Sequence, residues 1–585
     1  MTAVSSLLRT ASVLLALSAV PALAQQASDV LAPEAATGVA AKGPVIAKRQ
    51  MVVAANPIAA QVGLDILRAG GSAADALVAV QAMLGLVEPQ SSGIGGGAFL
   101  VWRDAATGTV TTFDGRETAP QAATQDLFLG PDGKPLEFFA AVVGGRSVGA
   151  PGVVRLMETV HKRYGKLEWP RLFDATITAA NDGFSVSPRL AALVADDADM
   201  LGAEPTTRDY FYPAGKAIAA GDTLRNPAYA TSLSAIATGG AEAFYSGPMA
   251  EALVATVRGH ATSPGLLTVE DLADYKAVER PAICVPYRGH EICGMGPPSS
   301  GAIAIGQILA MIEPFDISTL GPNDPESWRI IGDATRLAFA DRERYVADSD
   351  FVSMPKGLLN ADYLKARAEL IRRPTALGKD DVSAGDPPWD KAELRIDGVP
   401  AEVPSTTHFV IVDAEGNVAS MTSSIENGFG ARLMSGGFLL NNQLTDFSFA
   451  PEKDGSAVAN RVEPGKRPRS SMSPTIVLKD GKPLHALGSP GGSSIIPYVV
   501  KTIVALVDWK MDMQQAIALP HLANRFGTYD LEAGTSAVEL AKDLEALGYK
   551  IAEKEQNSGL HGVSFTGDGL AGGADPRREG VAVGD

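Results

Sequence analysis

Apolar residues Ile58, Val62, Leu64, Ile66 and Leu67 follow Asn56-Pro57 and give way to Gly70-Gly71. A cap, a first-turn proline and a terminating glycine predict a helix there. Ser72 caps a second helix through Leu77, Val80, Met83 and Leu84. After Glu88-Pro89, the glycine-rich turn Ser91-Ser92-Gly93-Ile94-Gly95-Gly96-Gly97 feeds two short strands, Phe99-Leu100-Val101-Trp102 and Val110-Thr111-Thr112-Phe113. Residues 150–375 read as mainly helical with loops, and Thr268-Val269-Glu270-Asp271-Leu272 has the form of a capped helix start. Residues 375–405, rich in Gly, Asp and Pro without periodicity, predict an exposed loop. Strand patterns return at His408-Phe409-Val410-Ile411-Val412, turn at Ala414-Glu415-Gly416, and continue through Asn417-Val418-Ala419-Ser420-Met421-Thr422. A further strand, Thr475-Ile476-Val477-Leu478, enters a turn at 479–482; a helix over 495–507 and later helix–strand alternation close the chain. Mixed helices and antiparallel strands predict layered α/β (α+β) packing, not a doubly wound parallel sheet.

The first residues change the picture. Arg9, the apolar run Ala11-Ser12-Val13-Leu14-Leu15-Ala16-Leu17 and the ending Ala22-Leu23-Ala24 have the layout of a secretory signal, residues 1–24. No later segment is apolar for long enough to span a bilayer. A periplasmic or secreted protein without a membrane span is expected. Removing Arg9 takes the net charge from −17 to −18, which argues against nucleic acid or an anionic membrane as partner. The two cysteines, Cys284 and Cys293, fall opposite each other if Arg288-Gly289 is a two-residue hairpin turn. Either a local disulfide or two reduced buried thiols fits. Neither cysteine has a histidine at ligand spacing, so no metal is expected.

The strand after the loop carries the chemistry. Inside a chain, the Thr406 hydroxyl of Pro404-Ser405-Thr406-Thr407-His408 has no base of its own. If the Ser405–Thr406 bond is cut, the freed α-amino group lies within reach of Oγ and can take its proton. An unperturbed α-amino group titrates at about 7.7–8.0, so a neutral fraction exists near pH 7. With Gly416 in the left-handed position of a three-residue turn, residue 413 pairs with 417, and Thr406 lies opposite Ser424, within one residue. A second hydroxyl there is placed to hold the nucleophile or relay a proton, although Ser and Thr are common on strand faces.

These stretches resemble the γ-glutamyltransferase family. The resemblance rests on Thr406-Thr407-His408-Phe409, Asp413-x-x-Gly416-Asn417, Leu439-Leu440-Asn441-Asn442-Gln443 and Asp446-Phe447-Ser448. It continues through Lys466–Thr475 and Gly488-Ser489-Pro490-Gly491-Gly492-Ser493, and includes Ser92–Gly97, Asp114–Pro120 and Asp575-Pro576-Arg577-Arg578. The series covers essentially all of the expected mature chain in order. It implies the αββα sandwich of N-terminal nucleophile hydrolases and a precursor cleaved between Ser405 and Thr406. The large subunit, 25–405, and the small subunit, 406–585, then stay together as a heterodimer. It further implies Thr406 as nucleophile, with Ser424 beside it, and Gly491 and Gly492 as oxyanion-hole donors, where the lack of a side chain permits close approach. Arg116, Ser470 and Ser471 take the α-carboxylate of a γ-glutamyl donor such as glutathione. Gln443 and Asp446 face its ammonium, and no cofactor is implied.

Three departures stand out. Ser424 replaces a frequent threonine and keeps the hydroxyl. Glu426 stands where bacterial members often have asparagine, and it adds a carboxylate near the ammonium. The stretch between Asp446 and Ser470 is short and lacks tyrosine, which predicts a more open donor pocket. Two rivals follow. A glutaryl (cephalosporin) acylase of the same superfamily would bind a side chain without an ammonium, leaving Asp446 and Glu426 uncompensated. An exported scaffold without turnover would retain none of the nucleophile, donors and glycines for a reason.

Overall fold

The computed structural model describes residues 40–389 and 405–585. The expected signal segment and residues 390–404 of the expected loop lie outside the described residues. Fourteen strands build two large sheets: β1 (Val45–Ala47), β2 (Met51–Ala54), β3 (Gly97–Arg103), β4 (Val110–Gly115), β5 (Val278–Pro281), β6 (Ile283–Tyr287), β7 (His290–Gly294), β8 (Ser405–Val412), β9 (Val418–Glu426), β10 (Thr475–Lys479), β11 (Lys482–Gly488), β12 (His561–Thr566), β13 (Gly569–Ala574) and β14 (Val581–Gly584). One sheet runs β1-β13-β12-β11-β10-β7-β6 and the other β14-β2-β8-β9-β3-β4-β5, with every pairing antiparallel.

Strand alternation explains the layering. Val410 and Val412 of β8 pack with Ile476, Leu478, Ala486 and Val563 of the opposite sheet. Phe409 and Ile411, one residue out of phase, face the helices α1 (Pro57–Arg68) and α2 (Ala73–Val87). On the far side, α3 (Gly301–Ile312), α4 (Pro325–Tyr345) and α5 (Ile495–Val507) cover the other sheet through Val477, Leu487 and Tyr287. The result is four layers, helix–sheet–sheet–helix, with β8 and β9 buried along their whole length. Among the described residues no helix is long and apolar enough to cross a membrane.

The sequence-based elements of the first hundred residues form as expected. Asn56 Oδ1 accepts the Ile58 N–H at 2.9 Å, and Ser72 and Asp75 form a reciprocal capping box. Arg288 and Gly289 both take positive φ and close a hairpin that pairs Cys284 with Cys293. Of the two states the sequence allowed, the structure has the disulfide, with S–S 2.05 Å. After α5 the expected helix–strand alternation forms over residues 513–554, and residues 561–584 then add three antiparallel strands. Their apolar pattern is diluted by glycines that packing demands. A Cβ on Gly562 would stand 2.5 Å from Met513 Sδ, and one on Gly572 2.5 Å from Met51 Sδ.

Candidate active site

The β8–β9 hairpin sets the position of Thr406. Asp413 Oδ1 accepts the Asn417 N–H at 2.9 Å, Gly416 has φ 87°, and Val412 pairs with Val418. That register runs back to Thr407 opposite Ser423, after which a bulge brings Ser405 opposite Glu426. At the bulge Thr406 Oγ1 lies 3.1 Å from Ser424 Oγ and 2.7 Å from the Ser405 carbonyl oxygen. Ser424 Oγ donates to the same carbonyl at 2.9 Å and accepts the Glu426 N–H at 2.8 Å. Ser405 is fixed by its own hydroxyl, which donates to the Gln90 carbonyl at 2.8 Å. Two hydroxyls thus converge on one intact peptide bond. The glycine-rich turn lies alongside: a Cβ on Gly96 would meet the Ser424 carbonyl oxygen at 2.2 Å.

Thr406 and Ser424 open into a depression lined also by Arg116, Glu426, Gln443, Asp446, Ser470, Ser471, Met472, Gly492 and Ile495. Every residue expected at the site lines it except Ser405, buried at its back, and Gly491, the neighbour of Gly492. No residue from 447 to 469 lines the depression.

Arg116 is buried and partly committed. It pairs directly with Asp446, while Nε and Nη2 donate to the carbonyls of Pro468 and Arg469 at 3.1 Å each. Gln443 Nε2 donates to the same Asp446 oxygen at 2.8 Å. The two groups expected to hold opposite ends of a zwitterion therefore neutralise each other here. Glu426 has φ 78° and accepts from Asn442 Nδ2, a conformation uncommon for a residue with a side chain. Behind the pair, Glu117 is fully buried, with neither carboxyl oxygen hydrogen-bonded and Oε2 3.9 Å from Arg116 Nη1. Burial pushes its pKa up to about 8 against the opposing pull of Arg116.

Gly491 and Gly492 have φ 136° and 54° and lead through a single turn into α5. Backbone N–H groups at such a helix start suit a developing oxyanion. Among the described residues no group of acidic, histidine or cysteine side chains has the arrangement of a metal site.

Sequence reasoning missed several residues that brace this site. Arg578, at the end of a quoted motif but given no role, donates to the Thr406 carbonyl at 3.1 Å. Glu88 accepts from Thr407 Oγ1 at 3.0 Å. Arg342, in the middle of the helical region, donates to Ser471 Oγ at 2.7 Å. Nothing in the local pattern separates this arginine from Arg329 and Arg336, which are buried on the same helix away from the site.

Residues 59–585 match the γ-glutamyltranspeptidase profile. The chain belongs to the γ-glutamyltranspeptidase family. The glutathione hydrolase proenzymes of Escherichia coli and Bacillus subtilis are 38% and 36% identical to it, over 91% and 92% of both chains in each case. The acylase ACY 1 proenzyme of Pseudomonas sp. (strain SE83) is 33% identical over 95% of this chain and 97% of its own. Among solved structures, a cephalosporin acylase from Bacillus halodurans superposes with a TM-score of 0.80 at 26% identity, covering 94% of this chain and 99% of its own. Helicobacter pylori γ-glutamyltranspeptidase gives 0.54 at 33% identity, covering 60% and 96%. The fold is the αββα sandwich of the N-terminal nucleophile hydrolases, and this γ-glutamyltranspeptidase homologue is an enzyme of that family.

Proposed function

We propose that the chain is an exported precursor that cuts itself between Ser405 and Thr406. Its fragments, 25–405 and 406–585, then act together as a γ-glutamyltransferase and glutathione hydrolase. The observation that carries this reading is the convergence of Thr406 Oγ1 and Ser424 Oγ on the Ser405 carbonyl oxygen, at 2.7 and 2.9 Å. In the first step Thr406 Oγ attacks the Ser405 carbonyl carbon, Ser424 Oγ–H steadies the oxyanion, and the C–N bond breaks as nitrogen takes the proton. Water then opens the ester, leaving Thr406 with a free α-amino group as its base. The mature reaction repeats the attack on a γ-glutamyl amide. The amine leaves with the proton, and water or an acceptor amine takes the acyl group from Oγ.

Charge selects the donor. One cation, Arg116, and two anions, Asp446 and Glu426, line the depression. A γ-glutamyl group brings a carboxylate and an ammonium and leaves that balance unchanged, whereas a glutaryl group adds an uncompensated negative charge. The acylase reading keeps its place because acylases are among the relatives, but the two carboxylates favour γ-glutamyl. N-terminal sequencing of the active protein should find a chain beginning Thr-Thr-His-Phe, and Thr406→Ala should stay uncut and inactive. Faster turnover of glutaryl than γ-glutamyl anilides would move the assignment to the acylases.

A further inference from the structure

Arg342 is buried on α4, outside the lining of the depression, yet its guanidinium meets the carboxylate side of the site at several points. Nη2 donates to Ser471 Oγ at 2.7 Å and Nε to Ser300 Oγ at 2.8 Å. Ser300 in turn donates its hydroxyl and its N–H to the Ser470 carbonyl, both at 2.8 Å. Nη1 pairs with Glu343, which accepts from Arg469 Nη2 at 2.6 Å. The Arg469 carbonyl is one of the acceptors that hold Arg116. A hydroxyl oxygen that accepts a charged N–H is polarised, and its own hydrogen becomes the one it offers to an anion.

We propose that Arg342 is a positioning residue that makes the Ser471 hydroxyl a donor toward the substrate's α-carboxylate and fixes the Ser470-Ser471 backbone through Ser300. The proposal rests on the γ-glutamyl reading above. It predicts an effect confined to donors that carry an α-carboxylate.

The test compares γ-glutamyl-p-nitroanilide with 4-aminobutanoyl-p-nitroanilide, the same donor without that carboxylate, on processed enzyme. Arg342→Gln should lower kcat/KM for the γ-glutamyl donor roughly tenfold or more, chiefly through KM, and Arg342→Lys less. Both should change the decarboxy donor by less than about twofold. Adding Ser471→Ala to Arg342→Gln should cost no more than either change alone. Should the Arg342 variants fail to fold or process, Ser300→Ala carries the same prediction of selective loss. Equal losses on both donors, or additive losses in the double variant, would reduce Arg342 to a merely structural role and overturn the proposal. A wild-type enzyme indifferent to the α-carboxylate would instead sink the γ-glutamyl assignment, and this proposal with it.

Discussion

Ser424 does two jobs with one oxygen: it receives the Glu426 N–H and gives its own proton to the Ser405 carbonyl. With its lone pair engaged from one side, its hydrogen is directed at the peptide bond that the proposed cleavage would break. Ser424→Ala should therefore slow self-cleavage by about a hundredfold, while Ser424→Thr retains most of the rate. A time course of the uncut precursor band on gels reads this directly. Glu117 makes a second residue-scale prediction. It is faced by Arg116, Asp114, Asp446, Tyr245 and Tyr275, and with its pKa near 8 it is neutral at pH 7. Above pH 8 it ionises and competes with the donor carboxylate for Arg116. The KM for γ-glutamyl donors should then climb on the alkaline side, and Glu117→Gln should flatten that limb. An unchanged profile in the variant would remove Glu117 from donor binding.

At the scale of elements, the turn at Asp413 decides where Thr406 falls. Its carboxylate accepts from Glu415 N, Asn417 N and Asn417 Nδ2, and reaches across to Ala73 N at the start of α2. Asp413→Ala should cost roughly 3 kcal/mol or more, since several charge-assisted bonds to a buried group are lost together. Urea unfolding of the uncleavable Thr406→Ala protein, with and without the change, gives the difference. The Gly491-Gly492 loop is similarly constrained: Gly491 has φ 136°, and a Cβ there would stand 2.9 Å from the Tyr498 ring. This hairpin was legible in the sequence because a period of two, a glycine turn and a short loop fix a local register. Capped helices α1 and α2 were legible for the same reason. Strands β12 to β14 were not, because their glycines answer to Met51 and Met513, far away in the chain. The Arg116–Asp446 pair, which joins positions on separate elements, likewise left no local trace. What reached the sequence reading of the site was the chemistry of each residue; the pairing belongs to the assembled layers.

Those layers bury histidines that the reaction does not use. His408 on β8 and His561 on β12 come from opposite sheets, with the charge of His561 acting on His408, while the His521 ring lies tilted against Tyr498 at 4.0 Å between ring centroids. All three are essentially inaccessible to solvent. Burial lowers the His561 pKa to about 3, with Lys42 and Arg578 adding to the effect and Asp575 opposing it. His408 and His521 are also driven well below the usual range, mainly by burial. In the unfolded chain each titrates near 6.5. As pH falls below that value, the unfolded state takes up protons that the native state refuses. The stability contribution is thus complete above about pH 6.5 and declines toward the folded pKa values, by up to about 1.4 kcal/mol per pH unit for each histidine. Asp575, held at about 2 beside Arg577, adds its own loss only below about pH 4, its unfolded value. The melting temperature of the Thr406→Ala precursor should consequently drop steeply between pH 6 and 4, before any carboxylate with an ordinary pKa is fully protonated. His561→Gln removes one of these protons, so its stability-against-pH slope in that window should fall by up to about 1.4 kcal/mol per pH unit. A slope identical to the parent's would mean that the acid limit of this fold is set by its carboxylates and not by the histidines between its sheets.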